Sequence, residues 1–236
     1  MERRDFIRVC AASALGLRAQ HTLGATNAEL REYAKTRLMD ESGQPLRASS
    51  LMANENYVFH YPFEGTPCFL LNLGKPTTRN VPLKTGSGAP YQWPGGVGPA
   101  QAIVAYSAIC SHQLTYPTRQ ISFISYRGQS TASKVSKPNM IHCCSEHSEY
   151  DPAAGARVMG GPAPQPLCAI VLEYDRAADA LFATATLGGE MFNTFFSKYE
   201  MRLALEHGSP ARAQQRSAAT TTVTTLTRFC KQQVRC

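Results

Sequence analysis

The chain has 236 residues, of which 43% are hydrophobic and 17% are charged, with 17 glycines and 15 prolines. This composition can fill one core, and it favours a β-rich, loop-rich domain over a helical bundle. The net charge is +7, but the basic residues are scattered and form no clustered patch of the kind that binds nucleic acid. No run approaches the roughly 18 apolar residues of a membrane-spanning helix. We therefore expect neither a nucleic-acid partner nor direct membrane insertion.

The N-terminal segment resembles an export signal. The pair Arg3-Arg4 is followed by a polar residue, Phe6, an aliphatic residue and a base, and then by a weakly apolar run over residues 9–17. This order resembles a twin-arginine signal, which carries proteins that have already folded, often around an inserted cofactor. We predict a leader over residues 1–28 and a periplasmic protein. The signal also favours a chain that carries a metal or a cluster.

Short apolar and alternating runs follow the leader and predict a β domain. Residues 28–36 fit either a short helix or the end of the leader. Residues 74–100, dense in glycine and proline, predict a long loop, and their setting does not favour a phosphate-binding role. The predicted strands lie at 57–61, 68–73, 102–106 and 121–126, with a hairpin over 169–186. Residues 121–130 are expected to form an extra hairpin.

The C-terminal part of the chain predicts one helix in an extension of the domain. Aromatic and apolar residues recur there at helical spacing, and Gly208 and Pro210 end the pattern. The residues of this stripe are Phe192, Phe195, Phe196, Tyr199 and Leu203. We expect the stripe to pack on the domain and assign it no chemistry. Residues 209–219 indicate a linker and 220–229 a late strand. The predicted domain covers 37–187 and the extension 188–236.

Two short segments carry side chains that bind metals. The first is Cys110-Ser111-His112, and the second is Cys144-Ser145-Glu146-His147, with 31 residues between His112 and Cys144. Two thiolates on one iron and two imidazoles on the other hold a mixed-ligand [2Fe–2S] cluster. The same donors can also bind Zn²⁺ tetrahedrally, but zinc sites usually show wider spacing than Cys-x-His.

With these two segments, the chain resembles the Rieske iron–sulfur protein family over roughly residues 50–187. A Tyr150-Asp151-Pro152 step and a proline-rich segment at 160–167 follow in the family's order. The resemblance implies an all-β fold of small antiparallel sheets, with two cluster-binding loops at one end. It implies a [2Fe–2S] cofactor bound by Cys110 and Cys144 on one iron and by His112 and His147 on the other. It also implies that Pro162, Ala163 and Pro164 shield the cluster.

The chain departs from the quinol-oxidising members of this family. Thr115 and Glu146 stand where those members have cysteines that form a disulfide across the cluster, so that disulfide cannot form here. A carboxylate at Glu146 also disfavours adding an electron. Ser148 and Tyr150 are candidates for hydrogen-bond donors to the cluster. The family's usual Gly-Ser pair after the histidine is replaced here by Ser148-Glu149 before Tyr150. We expect a reduction potential in the lower or middle part of the Rieske range of roughly −150 to +300 mV.

Several other residues have open assignments. Cys143 is an alternative to Cys144, but only Cys144 has the two-residue spacing to His147. His142 is expected to be structural, and His60 and His207 to be ordinary strand and surface residues. Cys68 and Cys168 are expected in the core. The sequence does not pair the remaining cysteines, Cys230 and Cys236, with each other or with those two.

The predicted function is periplasmic one-electron transfer, either as a soluble carrier or as a small subunit of an oxidoreductase. The redox partner is expected to be a c-type cytochrome or a periplasmic dehydrogenase, and no substrate site is visible in the sequence. The alternative is a quinol-oxidising Rieske subunit of a cytochrome bc-type complex. The missing disulfide and the missing anchor favour the first hypothesis. Membrane association is expected only through a partner complex.

Overall fold

The computed structural model describes residues 29–128 and 137–236, so the predicted leader lies outside the described residues. The described residues form a largely β structure. Its strands are β1 (Leu30–Met39), β2 (Tyr57–His60), β3 (Pro67–Asn72), β4 (Val81–Lys84), β5 (Pro90–Trp93), β6 (Ile103–Ser107), β7 (Ile121–Ser122), β8 (Ile124–Arg127), β9 (Met140–Cys143), β10 (Ser148–Asp151), β11 (Arg157–Gly160), β12 (Ala169–Asp175), β13 (Ala180–Leu187), β14 (Thr220–Thr222), β15 (Thr224–Thr225) and β16 (Gln232–Gln233).

Eight strands form the main sheet, in the order β14-β1-β13-β12-β6-β3-β2-β15. The neighbouring strands are antiparallel, except that β14 runs parallel to β1. The interior strand β3 has a buried side chain at every position from Pro67 to Leu71, because core residues cover both faces of the sheet. The predicted all-β class is confirmed.

A four-stranded antiparallel sheet, β11-β10-β9-β8, carries the second predicted motif. Residues 144–147 join β9 to β10 in this sheet, whereas the first motif lies just after β6 of the main sheet. The hairpin of β4 and β5 alternates buried and exposed residues, as a strand pair with one solvated face should. The two motifs therefore come from different sheets and meet between them.

One hydrophobic core lies between the main sheet, the hairpin and the four-stranded sheet. It contains Trp93, Tyr106 and Tyr150 together with Cys110 and Cys143. Tyr106 and Tyr150 are completely buried, and the Tyr106 hydroxyl donates to the Pro152 carbonyl at 2.7 Å. Burial of such large rings stabilises the junction of the two sheets. The site cysteines are therefore part of the core.

The C-terminal segment contains short helices α1 (Phe192–Lys198), α2 (Glu200–His207), α3 (Pro210–Ala213) and α4 (Leu226–Phe229). The predicted aromatic stripe packs on the loop after β6: the Tyr116 ring lies 4.9 Å from Phe195 and 5.1 Å from Tyr199, centroid to centroid. Helix α2 ends at Gly208, whose φ of +87° suits glycine. No helix within residues 29–128 and 137–236 is long and apolar enough to cross a bilayer.

Several local predictions differ from the structure. Residues 74–100, predicted as a long loop, contain the hairpin of β4 and β5; the single predicted C-terminal helix is divided into α1 and α2; and the predicted linker contains α3. Residues 28–36 were expected to be helix or leader, but residues from 30 onwards form β1, a mostly exposed strand whose polar composition hides its pairing with β13. Residues 121–127 do not pair with each other: β7 pairs with β16, and β8 with β9. Residues 220–229 form two short strands and the helical turn α4 instead of one strand.

Candidate functional site

The loop after β6 forms a tight turn around the first cysteine. The Cys110 amide donates to the Thr115 carbonyl at 2.8 Å, and the Leu114 amide donates back to the Cys110 carbonyl at 2.9 Å. Leu114 adopts a φ of +60° to close this turn. The turn leaves Cys110 fully buried, while His112 near its tip is only partly buried.

The second loop is the connection between β9 and β10. Cys143 at the end of β9 pairs with Ser148 at the start of β10, and both residues are buried. Because successive strand residues point to opposite faces, Cys143 faces the core and Cys144 does not. His147 is exposed, with a φ of +56°.

The two loops bring Cys110 and Cys143 together. Both belong to one buried core, and interaction with the Cys143 thiol lowers the pKa of Cys110, although burial opposes the shift. The Tyr150 hydroxyl and the backbone amides of His112 and Gln113 act in the same direction. The same interaction, together with burial, raises the pKa of Cys143. The two thiols therefore titrate as a coupled pair, in which the surrounding donors favour the thiolate at Cys110.

Cys144 does not lie where the sequence prediction put it. It forms a disulfide with Cys236, 92 residues further along the chain. The Arg127 guanidinium donates to Cys144 Sγ at 2.8 Å and also to the Cys236 carbonyl. A sulfur in a disulfide supplies no thiolate. In this structure Cys143, the alternative, takes the place beside Cys110 that was predicted for Cys144.

The residues after the second loop support the first cysteine. The Tyr150 hydroxyl lies 3.2 Å from Cys110 Sγ and accepts from the Ser111 amide at 3.3 Å. Ser148 lies five residues after Cys143 in the sequence, and Tyr150 lies seven residues after it. The Ser111 hydroxyl donates to the Gln165 carbonyl at 2.7 Å, which ties the proline-rich segment to the first loop.

Two buried polar atoms at this site have no hydrogen-bond partner, namely His112 Nδ1 and Ser148 Oγ. Buried polar atoms without partners are rare in folded proteins, and each needs an explanation. A [2Fe–2S] cluster between the loops provides one, because it accepts an imidazole nitrogen as a ligand and a hydroxyl as a hydrogen-bond donor. Cys110, Cys143 and His112 therefore fit such a group.

The remaining predicted ligand, His147, lies at the exposed tip of the second loop. Within the described residues, no three or more His, Cys, Asp and Glu side chains converge on one point that could hold a metal ion. A binuclear cluster needs only two protein ligands at each iron, so it needs pairs of side chains rather than one convergent group. A tetrahedral zinc site would require all four donors around one point.

No protein-family model matches this chain. Among solved structures, it is similar to the crystal structure of the soluble domain of the Rieske protein II (soxF) from Sulfolobus acidocaldarius. The match has 24% identity and a TM-score of 0.45, and it covers 67% of this chain and 82% of that one.

The proline-rich segment closes over the second loop. Gly161 has a φ of +79°, and a Cβ there would lie 2.3 Å from the His147 carbonyl oxygen. Only glycine permits this approach. Ala163 packs against the core that contains the two cysteines, while Pro162 and Pro164 are exposed. Whether these three residues shield a cluster stays a prediction.

Residues outside the motifs also hold the site, and sequence reasoning missed them. Gln165 accepts from the Gly86 amide at 2.6 Å and donates to the Gly189 carbonyl at 2.9 Å, which connects the proline-rich segment to two other loops. Lys198 of α1 donates to the Gln113 carbonyl at 2.7 Å. Nothing in the local sequence pattern around these residues pointed to the two motifs, because the contacts are long-range.

The other single-residue predictions divide as follows. Cys68 and Cys168 are buried free thiols, as expected, and burial raises the pKa of both. Cys230 is also free and is not paired with Cys236. His142 is buried and its Nε2 lies 2.8 Å from the Lys137 carbonyl, which is a structural setting.

Proposed function

We propose that this chain binds a [2Fe–2S] cluster between its two loops and acts as a one-electron carrier. The proposed ligands are Cys110 and Cys143 on one iron, and His112 and His147 on the other. The observation that carries the proposal is the pair of buried thiols beside two unpartnered buried atoms, His112 Nδ1 and Ser148 Oγ. When bound, a cluster of this type accepts and releases one electron.

The protein's own groups prepare the cysteine side of the site. The lowered pKa of Cys110 favours the thiolate that a metal needs. Its sulfur accepts hydrogen bonds from Tyr150 and from the amides of His112 and Gln113, which stabilise negative charge there. Both cysteines are completely buried, so water is excluded from this side.

The histidine side faces outwards. His112 is partly buried and His147 is exposed, so an electron-transfer partner can approach the imidazoles but not the cysteines. A bound imidazole can still hold or release a proton at its second nitrogen. We propose that electrons enter and leave on this side, with electron transfer coupled to that proton.

We further propose that the protein works in the periplasm after twin-arginine export. The Arg3-Arg4 pattern supports this proposal, and so does a cofactor that must be inserted before export. The proposed partner is a c-type cytochrome or a periplasmic dehydrogenase, and the protein is a soluble carrier or a small oxidoreductase subunit. Cell fractionation of an Arg3→Lys, Arg4→Lys variant tests the route: retention in the cytoplasm is expected.

A matched pair of variants tests the cluster and its ligands. Cys143→Ser should abolish the electron paramagnetic resonance signal of the reduced protein, whereas Cys144→Ser should keep it and lose only the disulfide. Iron, sulfide and zinc are assayed on the same samples. A rhombic signal with an average g below that of all-cysteine clusters supports the proposal. Zinc with no iron in the wild-type protein would refute it, and signal loss only in Cys144→Ser would restore Cys144 as the ligand.

A further inference from the structure

The main sheet opens between β6 and β12. These two strands are neighbours, yet they pair at only one position, Ala169 with Tyr106. By comparison, β3 and β6 pair at five positions and β12 and β13 at seven. Beyond the single pair, Ile103 of β6 pairs with the Val97 backbone instead of with β12, and a cleft of about 260 Å³ lies beside these strands.

Apolar side chains from both faces of the sheet line this cleft. Val104 and Val171 belong to or pack on the core that contains the site cysteines, whereas Ile103 and Leu172 belong to the core on the opposite face. Neighbouring strand residues point to opposite faces. The cleft therefore enters between the strands and does not simply rest on one face.

The end of β5 and the loop that follows it also line the cleft. Trp93 lines the cleft, and Gly95 and Gly96 bring no side chains that would fill it. A Cβ on Gly96 would lie 2.8 Å from the Gln101 carbonyl oxygen and 2.9 Å from that of Ile103. The loop backbone therefore packs too closely for any larger residue at this position.

Arg79 is the only charged residue among the described residues that line the cleft. Its side chain is exposed, with its stem close to Gly95: a Cβ on Gly95 would lie 3.3 Å from Arg79 Cγ. Within residues 29–128 and 137–236, no carboxylate forms an ion pair with Arg79. The cleft thus combines an apolar interior with one free guanidinium at its edge.

We infer that this cleft binds a small amphipathic carboxylate, with its hydrocarbon body between β6 and β12 and its carboxylate on Arg79. Removal of the hydrocarbon from water favours binding, and the guanidinium selects a carboxylate by a paired, charge-assisted hydrogen bond. The volume lies below the usual range for drug-sized ligands, so the ligand is small. The inference does not depend on the cluster.

The chain provides its own reporter, because Trp93 lines the cleft and is the only tryptophan among the 236 residues. The full-length protein is titrated with octanoate, 1-octanol and octylammonium, following tryptophan fluorescence and, for stoichiometry, calorimetry. Octanoate is expected to give a saturable one-to-one change, and the other two to bind about fivefold more weakly or not at all. Arg79→Gln should weaken octanoate binding about fivefold and leave 1-octanol unchanged.

Arg212→Gln serves as the matched control, because Arg212 is exposed and does not line the cleft. It should leave octanoate binding unchanged. Ala105→Leu places a larger side chain of β6 in the cleft and should abolish octanoate binding. Circular dichroism shows whether this variant folds. If it does not fold, Arg79→Gln still tests the inference, because Arg79 is exposed. The absence of saturable octanoate binding would overturn the inference. So would equal binding of the three probes, or an Arg79→Gln variant that binds octanoate like the wild type.

Discussion

The Tyr150→Phe substitution should lower the reduction potential of the proposed cluster. It removes one hydroxyl from a completely buried ring and leaves the packing otherwise intact. The hydroxyl oxygen already accepts from the Ser111 amide at 3.3 Å, and the Ser111 hydroxyl donates to Gln165 instead. The Tyr150 proton therefore has two acceptors, Cys110 Sγ and Ser111 Oγ, each 3.2 Å away, and negative charge on the sulfur favours Cys110.

The size of the effect follows from how much this bond strengthens when an electron is added. A hydrogen bond to a charged acceptor contributes about 1.5–3 kcal/mol, and we assign about 1 kcal/mol of it to the difference between the two redox states. For a one-electron couple, 59 mV corresponds to a tenfold change in equilibrium constant. The expected decrease in potential is therefore about 40 mV.

A redox titration followed by electron paramagnetic resonance or visible circular dichroism measures this change. Tyr126→Phe is the matched control, because it also removes the hydroxyl of a buried tyrosine, but this hydroxyl donates to Asn54 at 3.1 Å and to Asn139 at 3.4 Å instead of to a cysteine. The control should shift the potential by less than about 10 mV, a small fraction of the 59 mV step. An unchanged potential in Tyr150→Phe, or equal shifts in both variants, would refute the proposed role of Tyr150.

Three further predictions concern the loops and the fold. Gly161→Ala should destabilise the protein by more than the ~1–2 kcal/mol that a left-handed backbone costs an alanine, because the new Cβ would also clash with the His147 carbonyl. Gly88→Ala is the control, since Gly88 also has a positive φ but open space around its Cα. The difference in thermal unfolding between the two variants measures the clash. Cys236→Ser should lower the free energy of unfolding by about 2–4 kcal/mol, because it removes the disulfide that links residues 92 positions apart. Cys230→Ser is the control, since it replaces a free thiol and leaves the disulfide intact. Burial and the nearby charges of His207 and Arg119 lower the pKa of His60 to about 4. Because the unfolded chain takes up this proton near pH 6.5, folding should lose about 1–2 kcal/mol between pH 7 and pH 5, and His60→Gln should flatten that slope in denaturant titrations. An equal slope in both proteins would contradict this assignment.

The strand pattern of the domain was largely predictable from its sequence. The apolar run of β3 follows directly from burial on both faces, whereas the alternation in β4 and β5 lies in a segment whose many glycines and prolines predicted a loop. The strand β1 was not predictable, because its first six residues are mostly exposed and carry polar side chains. Its pairing is decided by β13, 150 or so residues away in the chain, and local propensity does not report such partners.

The choice between Cys143 and Cys144 shows a limit of spacing arguments. Leaving two residues between the cysteine and His147 selects Cys144, but this spacing ignores the direction of the side chains. Cys143 ends β9 opposite Ser148, so the strand pairing turns it towards Cys110 and the core. The adjacent Cys144 must then point the other way, where the end of the chain meets it. Strand register, which the sequence did not define here, decides which sulfur is at the site.

The absence of a disulfide between the two loops does not leave them unsupported. Thr115 and Glu146 preclude the direct cross-link, but the C-terminal segment holds each loop separately. Helix α1 packs its aromatic residues against Tyr116 and places Lys198 on the Gln113 carbonyl of the first loop. The Cys144–Cys236 disulfide then joins the second loop to the segment that contains β16, and β16 is itself held by its pairing with β7. Residues 188–236, predicted as an extension, therefore brace the site, and removing them should loosen both loops even though neither proposed ligand pair lies within them.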